Sequence, residues 1–300
     1  MTASLLATLK GPHPALSFEF FPPKSAAGSI RLAEHAATLA NLAPSFLSVT
    51  YGAGGGLAQR REDSIATTRL LSQVTASPTV AHLALSGHTT SELGQVIDQF
   101  LAAEVAGFMA LRGDPPDGPG SRWIKYPRGL TYANELVALI RQRSALPIGV
   151  AAFPFGHPGA GSLAKDTAVL RAKVAAGAEF AITQVLFEAQ PYRQLLDRVA
   201  AAGLDLPVVP GIMPITPRAK VAKLELFHGA PLPAELCRRL AATDGNPEAR
   251  GRVGLEWATH LVSELLAEGA PGVHFYTLNS SVATARICAE AGLTGQARPI

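Results

Sequence analysis

Apolar residues in this chain gather in eight short runs rich in β-branched and aromatic side chains. They cover residues 16–21, 46–51, 80–85, 108–114, 148–153, 180–187, 207–213 and 273–279. Runs of this length and composition predict strands. Between them the apolar positions return at helical spacing, with matching starts and stops. A helix is expected over 30–42 behind Ser29 as N-cap, and another over 92–106 behind Ser91, with Gly107 just past its end. A third is expected over 163–176, behind Ser162 and ahead of Gly177. In the last long helix Leu255, Ala258, Val262 and Leu265 share one face. Strands alternating with helices build parallel βαβ units, and eight such units match a closed (β/α)8 TIM barrel of the α/β class. An open doubly wound sheet is the alternative, because the pattern does not specify closure.

Two segments break the rhythm. Residues 115–130, rich in Pro and Gly, are too long for a routine connection and read either as a lid or partner loop or as a surface insertion. Residues 227–250 contain Pro231, Pro233, Gly245 and Pro247 and read as an elaborated crossover before the last strand. Neither looks like a linker, so residues 1–300 are expected to form one domain.

The polar exceptions inside the runs carry the candidate chemistry. Glu19 stands in Leu-Ser-Phe-Glu-Phe-Phe, followed by two prolines that cannot continue a ladder. A carboxylate among phenylalanines is costly unless paired, protonated or used, and such surroundings raise a carboxyl pKa. That suits a general acid, and a structural ion pair is the other reading. Thr50, His82, Arg112, Asp114, Gln184 and Asn279 also lie in or at the ends of expected strands. Alternation puts Ser17, Glu19 and Phe21 on one face, Ser48 and Thr50 on another, and Ala110, Arg112 and Asp114 on a third. His82 alone would be a satisfied core histidine. Six strands that each bring a polar group to one barrel rim point instead to a ligand site.

Composition narrows the classes. The chain is 48% hydrophobic and 16% charged, enough for a large core and unlike a disordered segment. Net charge is +3 with no basic run, so no nucleic-acid partner is expected. Cys237 and Cys288 are the only cysteines and show no metal or redox spacing, and the histidines form no His-x-His or His-Glu-x-x-His pair. No metal is expected. Gly52-Ala53-Gly54-Gly55-Gly56 lacks the third fingerprint glycine of a Rossmann turn and the Lys of a P-loop, and reads otherwise as a mobile turn. There is no Gly-x-Ser-x-Gly elbow. With no signal-peptide pattern and no bilayer-spanning run, a cytoplasmic location without membrane contact is expected.

Taken in order, SFEFFPPK at 17–24, SVTYGA at 48–53, His82-Leu83, ALRGDP at 110–115, AAFPFGHP at 151–158, AITQ at 181–184, PGIMP at 210–214 and HFYTLN at 274–279 resemble the methylenetetrahydrofolate reductase family in its bacterial single-domain form. The resemblance implies a (β/α)8 barrel that binds FAD and reduces 5,10-methylenetetrahydrofolate to 5-methyltetrahydrofolate, feeding methionine synthesis. NADH or NADPH would first reduce the flavin and leave before folate binds in the same place. Glu19 matches the family's general acid, Asp114 a carboxylate beside flavin and pterin, and Gln184 a contact to folate and nicotinamide. Thr50, Tyr51, Ala53, His82, Arg112, Gly113, Asp114, Tyr132, Ala133, His157, Asp166 and Lys173 match FAD contacts. Phe153 stands there too, where a tyrosine is common. Lys220 and Ser280 fall where a glutamine and an arginine can meet the folate tail, and Val169 and Ala172 replace polar residues of some relatives. Relatives are often homo-oligomers. Two other readings are a flavin-independent reductase-like protein and a folate-binding protein without catalysis.

Overall fold

The computed structural model describes residues 5–51, 57–114, 123–217, 219–243 and 245–293. Eight strands follow in chain order: β1 (Ala15–Phe20), β2 (Phe46–Val49), β3 (Thr79–Ala84), β4 (Gly107–Leu111), β5 (Ile148–Ala152), β6 (Phe180–Leu186), β7 (Val208–Ile212) and β8 (Gly272–Tyr276). Each pairs in parallel with the next, and β8 pairs with β1, which closes the barrel. The helices are α1 (Leu5–Leu9), α2 (Ala26–Ala40), α3 (Leu57–Thr75), α4 (Thr90–Leu101), α5 (Ala133–Arg143), α6 (Leu163–Ala175), α7 (Gln190–Ala201), α8 (Val221–His228), α9 (Ala234–Ala241), α10 (Pro247–Ala267) and α11 (Val282–Glu290). The β8–β1 pairing closes the expected βαβ repeat into the barrel, and the open sheet is excluded.

Alternation along the strands makes two cores. Phe18, Phe20, Leu47, Val49, Leu83, Phe108, Val150 and Phe275 face outward and pack with the helices. Ala15, Phe46, Val80, Met109, Phe180, Ile182 and Val209 face inward and fill the amino-terminal end of the barrel. Leu5 and Leu9 of α1 join this inner cluster and plug that end. The sequence pattern did not reveal α1, because five residues are too few to show a period.

Several boundaries differ from those expected. α2 starts four residues earlier, because Ser25 rather than Ser29 accepts the Gly28 N–H, while the Ser29 hydroxyl donates back to the Ser25 carbonyl. α4 is capped by Thr89, not Ser91: Thr89 and Glu92 form a capping box, with the Thr89 N–H donating to Glu92 at 2.7 Å. That helix ends at Leu101, and Glu104, at φ 56°, makes the left-handed turn expected of Gly107. Gly107 instead opens β4. The strands also stop short, so Thr50, Tyr51, Arg112, Gly113, Asp114, Phe153 and Asn279 lie just beyond them. Between β7 and β8, residues 227–250 hold the end of α8, all of α9 and the start of α10. Among the described residues no helix is long and apolar enough to cross a membrane.

Candidate active site

All eight strands run the same way, so their carboxyl ends form one mouth, where Glu19, Asp114 and Gln184 lie. Below that mouth the barrel interior turns polar. Phe18 and Phe20 point into the helix-facing core, which leaves Ser17 and Glu19 inside. Oε2 of Glu19 sits 3.6 Å from Nε2 of His82 and 3.6 Å from Nε2 of His274. Both imidazoles are buried, and neither Nε2 has a hydrogen bond. Nδ1 of His274 meets Ser17 Oγ at 2.8 Å, and its ring stacks on Phe46. Burial pulls His82 below the ordinary imidazole range, against the opposing charge of Glu19. Glu19 keeps 17% of its side chain exposed against 0% for His274, so the carboxyl opens to the mouth and the imidazoles stay beneath it.

Gln184 is placed by an irregularity. Between Ile182 and Val185 the register of β6 on β7 shifts, a bulge of the sort that re-aims side chains beside active sites. Two bonds hold it. Gly211 N–H donates to Thr183 Oγ1 at 2.9 Å, and the Tyr276 hydroxyl donates to the Thr183 carbonyl at 2.7 Å. The Tyr276 ring lies so close to Gly211 that a Cβ there would come within 2.6 Å of it. Burial, with the Glu19 charge as the lesser cause, raises the Tyr276 phenol well above its ordinary value, so it stays a donor.

Across the mouth the groups are cationic. Arg112 follows β4; Phe108 and Ala110 share the helix-facing core, so the Ala110 face is not the interior one, and Met109 faces inward. Nη2 of Arg112 lies 3.2 Å from Nε2 of His157, and Cζ lies 4.7 Å from the centroid of the Trp123 ring. Gly159 N–H donates to His157 Nδ1 at 2.8 Å, so a neutral His157 carries its proton on Nε2, facing another donor. Asp166 Oδ1 accepts the His157 N–H at 3.1 Å. Lys173 donates to the Ala151 carbonyl at 3.0 Å and sits 5.9 Å over the Phe153 ring. Burial lowers Lys173 to about 8 against the pull of Asp166, and burial together with the Arg112 charge lowers His157. Arg112 is pulled down by burial, opposed by Asp114 and Tyr132.

Arg112 Nε and Trp123 Nε1 are both buried without a partner. Unsatisfied donors beside a weakened lysine and two donors facing each other form a cradle lacking its acceptor. A dinucleotide pyrophosphate has the oxygens and charge to fill it, so these residues fit FAD. Among the described residues no group of His, Cys, Asp and Glu is arranged to hold a metal ion.

The remaining candidates spread around this mouth. The Thr50 carbonyl accepts the Ser64 hydroxyl at 3.0 Å, and the Tyr51 hydroxyl meets His88 Nε2 at 3.0 Å. Gly113 takes φ +80°, which glycine allows without strain. Tyr132 and Ala133 open α5, with Tyr132 exposed. Lys220 precedes α8 and, with Lys223, lines a cavity of about 270 Å³ that reaches Leu278; Ser280 lies two residues further, in the turn after β8. Ala53 and residues 115–122 lie outside the described residues. Asn279 is a clamp: it accepts the Phe21 N–H at 2.9 Å and donates to the Phe21 carbonyl at 2.8 Å. Sequence reasoning missed His274, Tyr276 and Trp123. The first two sit at two-residue spacing in the last strand, a signal that alternation could have supplied.

Residues 5–292 match the family model described as methylenetetrahydrofolate reductase. The 5,10-methylenetetrahydrofolate reductase of Escherichia coli (strain K12) is 34% identical over 278 residues, 93% of this chain and 90% of that protein. The enzyme of the same name from Pectobacterium carotovorum subsp. carotovorum is 33% identical over 288 residues, covering 96% and 93%. Methylenetetrahydrofolate reductase (NADH) 1 of Arabidopsis thaliana is 30% identical, over 95% of this chain and 49% of its own. Among solved structures, a Clostridium thermocellum protein that binds two copies of 5-methyl-5,6,7,8-tetrahydrofolic acid shares the fold, with a TM-score of 0.63, 15% identity and 98% of each chain covered.

Proposed function

The chain belongs to the methylenetetrahydrofolate reductase family of oxidoreductases, and on that premise we propose that it uses FAD to reduce 5,10-methylenetetrahydrofolate to 5-methyltetrahydrofolate with NADH or NADPH as donor. The observation that carries the reading is Glu19, a carboxyl open to the mouth and backed by two buried imidazole nitrogens without other partners. When Ser17 donates to the Val273 carbonyl, 3.5 Å away, it accepts from His274 Nδ1–H and leaves Nε2 an acceptor facing Glu19. Glu19 stands between that nitrogen, 3.6 Å beneath it, and the open mouth, where a proton on the carboxyl could pass to a ring nitrogen of the folate. Gln184, on its braced bulge, offers an amide to the substrate's polar edge. Arg112, His157 and Lys173 would hold the pyrophosphate of FAD, with Asp166 orienting the His157 loop. When bound, FAD supplies the hydride that it has taken from the nicotinamide. The lack of a Rossmann fingerprint fits a nicotinamide that uses the folate's own place in turn. The product would feed methionine synthesis in the cytoplasm.

The test separates two half-reactions. Purified protein should show flavin absorbance that NADH or NADPH bleaches anaerobically, in wild type and in Glu19→Gln alike. Folate turnover should fall by about 10²–10⁴-fold in Glu19→Gln, the range of a lost general acid. Full folate turnover in that variant rejects the acid role, and an active protein without flavin absorbance rejects the cofactor.

A further inference from the structure

We propose that Trp123 is a positioning residue for the cofactor: its indole face holds the Arg112 guanidinium at the place where a pyrophosphate would bind. The inference rests on the FAD reading above and adds a residue to it. Arg112 is trapped between two rings, with Cζ 4.7 Å from the Trp123 centroid and Nη2 3.2 Å from His157. The contact to His157 sets donor against donor, so it does not hold Arg112 there. Nor does any partner hold Arg112 Nε, which is buried and unpaired. Beside the charge of exposed Asp114, the face of the indole is the favourable contact found for this cation among the described residues, and arginine stacks well on such a face. Without it, the guanidinium would be free to swing toward the exposed Asp114 and the solvent.

The ring itself is held from elsewhere. Trp123 packs against the helix-facing core. It opens the described end of the long Pro- and Gly-rich segment, and that end is fastened to the start of α4. The Arg128 carbonyl accepts both the N–H and the hydroxyl of Thr90, at 3.0 and 3.1 Å. Gly129 lies so close to the His88 carbonyl that a Cβ would come within 2.3 Å of it. The end of the segment is thus a strap that presents an indole to the cationic side of the mouth.

Titration of the apoprotein with FAD, ADP and riboflavin tests this through binding alone. Trp123→Ala should weaken FAD and ADP about 10-fold, within the span of a desolvated cation–π contact, and riboflavin less than twofold. Trp123→Phe should stay within about threefold of wild type, since it keeps an aromatic face. In an Arg112→Ala background, Trp123→Ala should cost less than twofold more, because the ring has no guanidinium left to hold. The same loss with and without Arg112, or unchanged FAD affinity in Trp123→Ala, overturns the proposal. If Trp123→Ala does not fold, Trp123→Leu completes the same cycle. Wild type that binds ADP with this Trp123 dependence but takes no FAD would sink the flavin reading and leave the anchor standing. Binding of neither would sink both.

Discussion

The two ends of this barrel are built from the same eight strands by the same alternation, yet their chemistry is opposite. At the amino-terminal end the inward positions are Phe46, Val80, Met109, Phe180 and Val209, sealed by Leu5 and Leu9. At the carboxyl end the inward positions become Ser17, Glu19, Ser48, His82, His274 and Tyr276. The lower layer leaves no polar group to satisfy. The upper one keeps Ser48 Oγ and the Nε2 atoms of His82 and His274 buried without a hydrogen bond, and further out Arg112 Nε and Trp123 Nε1 add two more such atoms. Each unmade bond costs roughly 1–3 kcal/mol. An end that tolerates that cost is shaped for ligand, and the stability to tolerate it comes from the other end and the helix-facing shell.

The largest effect expected from this division is Phe180→Ala. Phe180 is fully buried, tilted against Phe46 at 6.1 Å and seated where Gly149 leaves space for its ring. Removing it should cost about 3–5 kcal/mol in urea unfolding. Its kcat/KM per folded molecule should stay within about twofold of wild type, because the loss lies at the structural end. Glu19→Gln should do the reverse and leave the urea midpoint near that of wild type. A large loss of catalysis per folded molecule in Phe180→Ala would break the separation of the two ends.

A smaller effect comes from Lys173, whose ammonium the fold holds at about 8 against an ordinary 10.5. Below pH 8 the folded and unfolded chains both keep that proton, so the penalty of burying the charge is present in full. Between pH 8 and 10 the folded chain releases the proton and the unfolded chain retains it, so this group raises stability with pH. Lys173 by itself should contribute roughly 2 kcal/mol over that window, read as wild type minus Lys173→Met in the apoprotein. From about pH 9 the Cys288 thiol, pushed up to about 12 by burial, and the raised phenols of Tyr192 and Tyr276 work in the opposite direction, because the unfolded chain releases those protons first. The stability difference between wild type and Lys173→Met should therefore shift in favour of wild type across urea titrations at pH 8, 9 and 10, and FAD should remove that shift by giving the ammonium an anion. A difference that stays constant over this window would place the titration elsewhere.

What the sequence made legible divides along the same line. Strand number, barrel class and the candidacy of Glu19 follow from short apolar runs and one charge among phenylalanines, both local signals. The helix starts at Ser25 and Thr89 were missed because neighbouring Ser29 and Ser91 offer the same chemistry, and only a hydrogen bond chooses between them. Asn279 was legible as a polar strand-end residue but not as a clamp on Phe21, which lies 258 positions away in the chain. Trp123 was hidden for a related reason. Nothing near it in sequence announces Arg112, and the composition of its segment suggested only a loop.

The smallest effect, and the one that most sharpens the contrast, is Tyr276→Phe. The ring sits where the structural and chemical halves meet: its edge lies on Gly211, and its hydroxyl reaches across to the Thr183 carbonyl beside Gln184. Phenylalanine keeps the packing and removes only that donor, so the stability loss should be about 1 kcal/mol. The Thr183 carbonyl then loses a bond that pins the bulge, and Gln184 gains freedom. Folate KM should rise about threefold to tenfold, while reduction of the flavin by NADH changes less than twofold. A structural role alone would lower the urea midpoint and leave folate KM where it was. If Tyr276→Phe slows flavin reduction as much as it raises folate KM, the hydroxyl serves the whole mouth and not the bulge.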